Sequence, residues 1–401
     1  MVCNFGFVKE TMSKYKLGEI CEIVSGSTPK TNIKEYWDGD IKWITPAELS
    51  DDSYIVTDSA RKITEIAVEK TGLSSFPKGT VILSSRAPIG KVAIAGCEMY
   101  CNQGFKNLIC TDRIDNKYLY WFLKGNTEYL NSLGRGATFK EISKSIVAGI
   151  EINVPEINKQ REVVVKLEKI NKIIKYRKVE LEKLDDLIKA RFVEMFGNPV
   201  TNEKRWKQKL LGEITAKIGS GATPKGGKSA YQENGITLIR SMNVHNGMFE
   251  YKELAHISDE QATKLDNVAI EENDVLLNIT GASVARSCVV PSKILPARVN
   301  QHVCIIRCKE CIIPEFLNKL LIDDNYQELL WGIAGAGATR EAITKQQVES
   351  LQIIMPPVEL QNQFIDFVNQ VDKSKVAVLN LPHYYSEYRR IDKSNNRFYQ
   401  R

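Results

Sequence analysis

The chain has 401 residues, a formal net charge of +6 and an apolar fraction of 43%. That length calls for two or three domains with sizeable cores. No run approaches the ~18 apolar residues that a membrane-spanning helix needs. The mildly basic balance, with a pI near 8.6, is compatible with a nucleic-acid partner without being diagnostic of one.

Residues 1–13 read as an N-terminal extension without the charge, apolar core and small-residue site of a signal peptide. With nine irregularly spaced cysteines, they point to reduced thiols and a cytoplasmic location. Residues 14–156 carry short strand patterns between Gly, Pro, Asn and Asp turns, with a helix near 117–123, and predict a mixed α/β domain. Residues 157–197 predict a central spacer helix. Val163, Leu167, Ile170, Ile174, Leu181, Leu184 and Ile188 form an apolar seam that Arg177 and Arg191 continue, and Gly197-Asn198-Pro199 ends it. Forty residues at ~1.5 Å each give a rod of roughly 60 Å, which needs a partner helix. Residues 198–357 predict a second mixed domain, patterned from about 205 and with a helix near 315–321. Residues 358–401 predict a distal helix with Phe364, Phe367, Val371 and Val378 on one seam, broken at Asn380-Leu381-Pro382 and followed by a polar, basic tail.

The chain says one sequence twice. Leu17-Gly18-Glu19-Ile20 returns as Leu211-Gly212-Glu213-Ile214, and Gly26-Ser27-Thr28-Pro29-Lys30 as Gly221-Ala222-Thr223-Pro224-Lys225. Val81-Ile82-Leu83, Asn102-Gln103 and Gly134-Arg135-Gly136-Ala137-Thr138 are echoed by Val275-Leu276-Leu277, Asn300-Gln301 and Gly335-Ala336-Gly337-Ala338-Thr339. Pro155 and Gln160 return as Pro356 and Gln361, so the offset only drifts from 194 (Leu17 to Leu211) to 201 (Gln160 to Gln361). Two copies of domain plus helix imply pseudo-twofold symmetry, with the helices antiparallel as a coiled coil.

Motifs that carry chemistry are scarce. Gly221 to Ser229 looks like a phosphate loop, but the required lysine position, 227, is glycine. There is no Gly-x-Ser-x-Gly elbow, no His-Glu-x-x-His helix and no Asn-Pro-Pro-aromatic methyltransferase motif. None of the four histidines recurs at the aligned position of the other copy. Cys304, Cys308 and Cys311 near His302 raise a zinc site, yet one Cys-x-x-Cys without a second pair favours small buried thiols.

The ordered motifs at 26–30, 221–225, 84–90 (Ser-Ser-Arg-Ala-Pro-Ile-Gly), 102–106 and 299–303, with the helix ending Arg-Phe-Val-Glu-Met-Phe-Gly-Asn-Pro at 191–199, resemble the DNA-specificity subunit of type I restriction–modification systems. The resemblance runs from about Tyr15 to Val378. It implies an α/β fold of two pseudo-symmetric target-recognition domains separated by two long antiparallel coiled-coil helices. Each domain would read one half of a bipartite site in double-stranded DNA. Two methyltransferase subunits would bring S-adenosylmethionine and flip an adenine for N6 methylation. Restriction subunits would add ATP- and Mg2+-dependent translocation and cleavage, and this chain would hold no cofactor and no catalytic group. An unfamiliar enzyme, a coiled-coil scaffold without DNA specificity, and a truncated or inactive specificity subunit with a broken distal helix are the alternatives.

Two domains that read different sequences cannot be distinguished by the residues they share. Thr28-Pro29, Asn102-Gln103 and the glycine turns are therefore expected to be scaffold or phosphate-positioning elements, and Trp43 a core residue. Base readers are expected where the copies diverge. The candidates are Lys34, Arg61, Lys62, Arg86, Lys91 and Lys106 in the first copy, and Lys228, Arg240, Asn243, Arg286 and Arg298 in the second. Arg135, Lys140 and Arg340 beside the glycine turns are candidate phosphate contacts.

Overall fold

Each copy opens on the same local device. The Leu-Gly-Glu-Ile segments form single helical turns, Leu17–Ile20 and Leu211–Ile214. The carboxylates of Glu19 and Glu213 accept the backbone N–H of Lys16 (2.7 Å) and Leu210 (2.8 Å), which satisfies N–H groups a helix start leaves open. The strand before each turn pairs antiparallel with the last strand of its own copy, Ser13–Lys16 with Glu151–Val154 and Gln208–Leu210 with Gln352–Ile354. The first and last segments of each domain are thereby tied together. The structure is a computed structural model and describes residues 12–86, 88–136, 140–223, 227–335 and 341–379, without the side chains of 228, 230 and 379.

The first domain holds a five-stranded sheet in the order Cys21–Ser25, Lys106–Cys110, Val81–Leu83, Val92–Ala95, Ile55–Val56. Beside it is a three-stranded sheet of Arg61–Ile63, Trp37–Ile44 and Tyr100–Cys101. The second domain repeats the plan with Thr215–Ser220, Val303–Cys308, Val275–Asn278, Ser287–Val289, and with Ala255–Ile257, Ile236–Ile239, Ala297–Val299. Both small sheets contain one parallel pair at the equivalent place, Ile44 opposite Cys101 and Ile239 opposite Val299. Alternation along an inner strand of each larger sheet feeds a core on either face. Val81 and Leu83 point into one and Ile82 into the other; Val275 and Leu277 are parted from Leu276 in the same way. Covered on both faces, these strands read as continuous apolar runs.

The central helix is unbroken over Ile157–Phe196. The described residues fall into two compact units whose boundary, between Tyr176 and Arg177, lies inside it. In the first unit Val164 and Leu167 join the core of the first domain, and Glu168 takes an ion pair from Lys117 (2.9 Å) and a hydrogen bond from the Tyr54 hydroxyl. In the second unit Phe192 and Phe196 cluster with Phe316 and Phe364, with ring centroids 5.0–6.0 Å apart. The distal helix, Val358–Leu379, packs there antiparallel to the central helix. Phe364 meets Phe192, Lys375 meets Asp185 (2.6 Å), and Arg177 Nη1 donates to the Val378 carbonyl (3.1 Å).

The seam of the central helix departs from the sequence expectation at three places. Val164 rather than Val163 is the buried core residue, Ile174 is 39% exposed, and Phe192 rather than Arg191 enters the core. A straight helix of 3.6 residues per turn drifts off a 3.5-residue stripe. Near its end the central helix packs on a globular core, so the inward position moves on by one residue. Arg191 lies instead over the Phe367 ring and pairs with Glu194. The expected break at Pro382 and the tail after it lie outside the described residues.

Candidate nucleic-acid interface

The residues that the copies share build one frame twice. The Thr28 hydroxyl donates to Gln103 Oε1, and the Thr223 hydroxyl to Gln301 Oε1. Asn102 Oδ1 accepts the N–H of Gly104 (2.9 Å), and Asn300 Oδ1 that of His302 (3.0 Å). The backbone N–H of each asparagine reaches the strand beside it, at Ile44 and Ile239, both at 3.1 Å. Adenine pairing needs free amide edges, and here the amides hold turns. The glycines at the start of the motif are required by close approach. A Cβ on Gly26 would lie 2.1 Å from the Cys101 carbonyl, and one on Gly221 1.7 Å from that of Val299. Trp43 is 2% exposed and donates to the Ser27 carbonyl at 3.1 Å, as befits a core residue.

On this frame sit three loops that diverge. The first is a single 3-10 turn, Pro46–Glu48 or Ser241–Asn243, capped by the same i to i+3 contact: Glu48 on the N–H of Thr45 (2.7 Å), Asn243 on that of Arg240 (3.1 Å). The second is the hairpin 84–91 or 278–286, closed by Ser84 N–H to Lys91 O and by Asn278 N–H to Arg286 O, both 2.8 Å. The residue before its closing pair is left-handed in both copies, Gly90 (φ 93°) and Ala285 (φ 72°). The third is the Asn–Gln turn itself. In the second domain these loops surround an open hollow of about 430 Å³ lined by Ser241, Met242, Thr280, Ser283, Arg286 and His302, with Gly281 and Ala282.

The candidate side chains divide by environment. Lys34, Arg135 and Lys140 are exposed. Arg61 is exposed and stacks on Trp37 at 3.7 Å. Half-buried Lys62, Arg86 and Lys91 meet Asp58 (3.8 Å), Glu141 (3.9 Å) and the Pro46 carbonyl (3.3 Å). Arg286 approaches His245 Nδ1 at 3.5 Å, and Arg240 binds the Glu253 carbonyl beside the Tyr231 ring. The side chain of Lys228 and all of Arg340 lie outside the described residues.

Three candidates are corrected. Lys106 is 7% exposed, with its ammonium 3.2 Å from Glu141 Oε1 and 3.3 Å from Ser85 Oγ; a buried charge needs such a partner. Strand register sets Lys106 opposite Ser25 and Cys304 opposite Ser220. The bridges Arg86–Glu141 and Thr280–Ala342 set Ala342 at the place of Glu141. Both members of the pair therefore change together between the copies. Asn243 is fully buried and donates to the carbonyls of Glu250 (3.0 Å) and Lys252 (3.2 Å), so its amide is spent on the turn. Arg298 turns inward to Asp266 (2.5 Å) and to the carbonyls of Ala262 and Ala297. Sequence reasoning placed Ser241, Met242, Thr280 and Ser283 inside diverging loops, about 240–271 and 280–298, without naming them as readers, and weighed His302 only as a zinc ligand. Their signal was that none has a like counterpart in the other copy.

Cys304 is 1% exposed in an apolar cluster, and burial pushes its thiol pKa up to about 12. Among the described residues no group of His, Cys, Asp and Glu is arranged to hold a metal ion. No described helix is long and apolar enough to cross a membrane.

Frame and loops together define a duplicated recognition module with paired helices. The family model for the type I restriction modification DNA specificity domain matches the chain twice, over residues 9–184 and 203–380. The type I restriction enzyme MjaIX specificity subunit of Methanocaldococcus jannaschii is 31% identical over 386 residues, covering 91% of this chain and 88% of that one. Two solved structures share the fold. The type I restriction–modification S subunit of M. genitalium has a TM-score of 0.52 at 14% identity, covering 98% and 96% of the two chains. A chain from a study of complex assembly and conformational transition in the type I system has a TM-score of 0.59 at 17% identity, covering 97% of each. The chain belongs to the type I restriction–modification DNA specificity family, with two target-recognition domains.

Proposed function

We propose that this chain supplies the address and none of the chemistry of its complex. Each domain reads one half of a bipartite site in double-stranded DNA. The helices dock two methyltransferase subunits, which hold S-adenosylmethionine and methylate adenine at N6. Restriction subunits hold ATP and Mg2+, and the assembly works in the cytoplasm. The observation that carries this reading is one hydrogen-bonded frame built twice with different side chains on its exposed loops. Such a frame is what reading two unlike half-sites in one geometry requires. The exposed or half-exposed cations Lys34, Arg61, Arg86, Lys91, Arg135, Lys140 and Arg286 are the DNA contacts of this reading. Lys62, Arg240, Lys228 and Arg340 complete the set.

The test is to purify the chain with its methyltransferase partner and map methylated adenines in DNA exposed to the complex. A split motif with two defined halves is expected, together with affinity that falls steeply with salt. ATP hydrolysis or DNA cleavage by the purified chain alone would overturn the division of labour. Salt-independent behaviour without DNA retention would favour a scaffold.

A further inference from the structure

Their hydrogen bonds match the two frames residue by residue, and five positions of the divergent loops then line up. The shared caps place Ser241 and Met242 where the first domain has Pro46 and Ala47. The hairpin closures place Arg286 where it has Lys91. The bridges Thr280–Ala342 and Arg86–Glu141 place Thr280 where it has Arg86. The asparagine turns place His302 where it has Gly104. Each of the five side chains placed in this way differs between the copies, whereas the Thr, Asn and Gln side chains that hold the loops are the same.

The differences are also coupled. A Cβ on Gly104 would stand 2.9 Å from Pro46 Cγ, so the first domain has no room for a side chain there. The second domain has serine in place of that proline and histidine in place of that glycine. His302 is then wired into the frame. Gln301 Oε1 is occupied by Thr223, which leaves Gln301 Nε2 as donor to His302 Nε2 at 3.1 Å. In the neutral ring this contact favours the tautomer with its proton on Nδ1, donated to Thr280 Oγ1 at 2.5 Å. Having accepted, the Thr280 hydroxyl keeps its own proton for another acceptor, and Thr280 lines the hollow. The hollow thus presents the Thr280 hydroxyl, a guanidinium from Arg286, the hydroxyls of Ser241 and Ser283, and the thioether of Met242, which is 40% exposed. Guanidinium and hydroxyl donors match the acceptor edges of bases in the major groove, and an apolar tip matches the thymine methyl.

We propose that this hollow is the base-reading surface of the second domain, with Thr280 and Arg286 on base edges and His302 as the residue that positions Thr280. Ala47, Arg86 and Lys91 would do the same work for the other half-site. The proposal rests on the chain being a DNA-specificity subunit and names the positions that make it specific.

The test maps methylated adenines for the complex of the full chain with its methyltransferase, comparing wild type with Thr280→Ala, Arg286→Ala, His302→Gly and His302→Asn. Each variant should relax one or two base positions in one half-site, lowering discrimination there by about tenfold or more, while the other half and the gap stay unchanged. Asn, whose amide can donate as Nδ1 does, should restore part of what Gly loses. Arg86→Ala and Lys91→Ala should alter the opposite half. Urea midpoints close to wild type identify variants that fold. A variant that does not fold is replaced by Ser241→Pro with His302→Gly, which installs the pair that already fits in the first domain. Unchanged motifs, or weaker methylation spread evenly over all sites, would overturn the proposal, the second outcome marking phosphate contacts only. A wild-type complex that methylates no split site would instead bring down the parent reading.

Discussion

The side-chain oxygen of Gln160, in the first turn of the central helix, accepts the backbone N–H of Asp115 at 2.8 Å. Its amide nitrogen donates to the carbonyls of Pro155 (2.8 Å) and Arg113 (3.0 Å). Gln361 repeats the arrangement at the start of the distal helix, with the Ile313 N–H (2.9 Å) and the Pro356 and Cys311 carbonyls. Both side chains are fully buried. Each helix is therefore fastened to its own domain by one amide that satisfies three backbone groups.

Replacing either glutamine should cost more than an ordinary hydrogen bond. Gln160→Leu or Gln361→Leu leaves a buried N–H and two carbonyls unpaired, and each substitution is expected to destabilise its own unit by about 2–4 kcal/mol. Urea unfolding with a probe in each domain checks this; equal effects on both probes would contradict it.

Lys106 and Glu141 should behave as a coupled pair. Glu141→Ala strands a buried ammonium and is expected to cost about 2–3 kcal/mol, while Lys106→Cys with Glu141→Ala, the pair found in the second copy, should recover much of that. A double-mutant cycle in urea gives the coupling. Because Lys106 faces the core, Lys106→Met in the assembled complex should leave the salt dependence of DNA binding unchanged. Arg135→Ala, at an exposed phosphate-contact candidate, should reduce the log–log slope by about one.

Alkali should loosen the fold through its buried thiols. Burial pushes the thiols of Cys101, Cys288, Cys304 and Cys308 from about 9 up to about 12. The folded chain keeps protons that the unfolded chain releases, so this stability is complete below pH 9 and is lost as pH rises toward 12, at no more than about 1.4 kcal/mol per pH unit for each thiol. Urea midpoints at pH 8 to 11 under reducing conditions should fall, and Cys304→Val should flatten the fall.

Gly221→Ala should be among the most damaging substitutions to a surface turn. The new methyl would lie 1.7 Å from the Val299 carbonyl, and pushing apart the strands that carry the turn is expected to cost about 3 kcal/mol or more. Gly227→Ala serves as the comparison, because nothing lies within 4 Å of its Cβ position. Its φ of 55° gives that change a smaller, conformational cost of its own. Thermal melting of the two variants should differ in that order.

Much of this was legible in the letters because they were written twice. Repetition marked the Thr–Gln and Gly positions as frame, and the unbroken run before Gly197 marked the central helix. What a single letter does not disclose is which side of a strand it faces. Lys106 looked like a surface cation, yet its neighbours across the ladder put it inside. Its replacement by Cys304 in the other copy was a clue that charge was not its surface role. Asn243 could have been found from its own repeat, since Thr45-Pro46-Ala47-Glu48 spells a capping box at the same place. The one-residue shift from Arg191 to Phe192 needed the core of the second domain, which no helical period contains.

Lys375 gives the helix pair something an all-apolar stripe would lack. It stands on the inner stripe between Val371 and Val378, bonded to Asp185 and Asp372. Burial draws its pKa down, but the two carboxylates outweigh that and hold it above the ordinary lysine value. Sliding the distal helix by seven residues would carry this ammonium about 10 Å from Asp185. Apolar neighbours alone would tolerate that slip far better. A single lysine thus works as a detent: the pair can click into one alignment and resists creeping to the next.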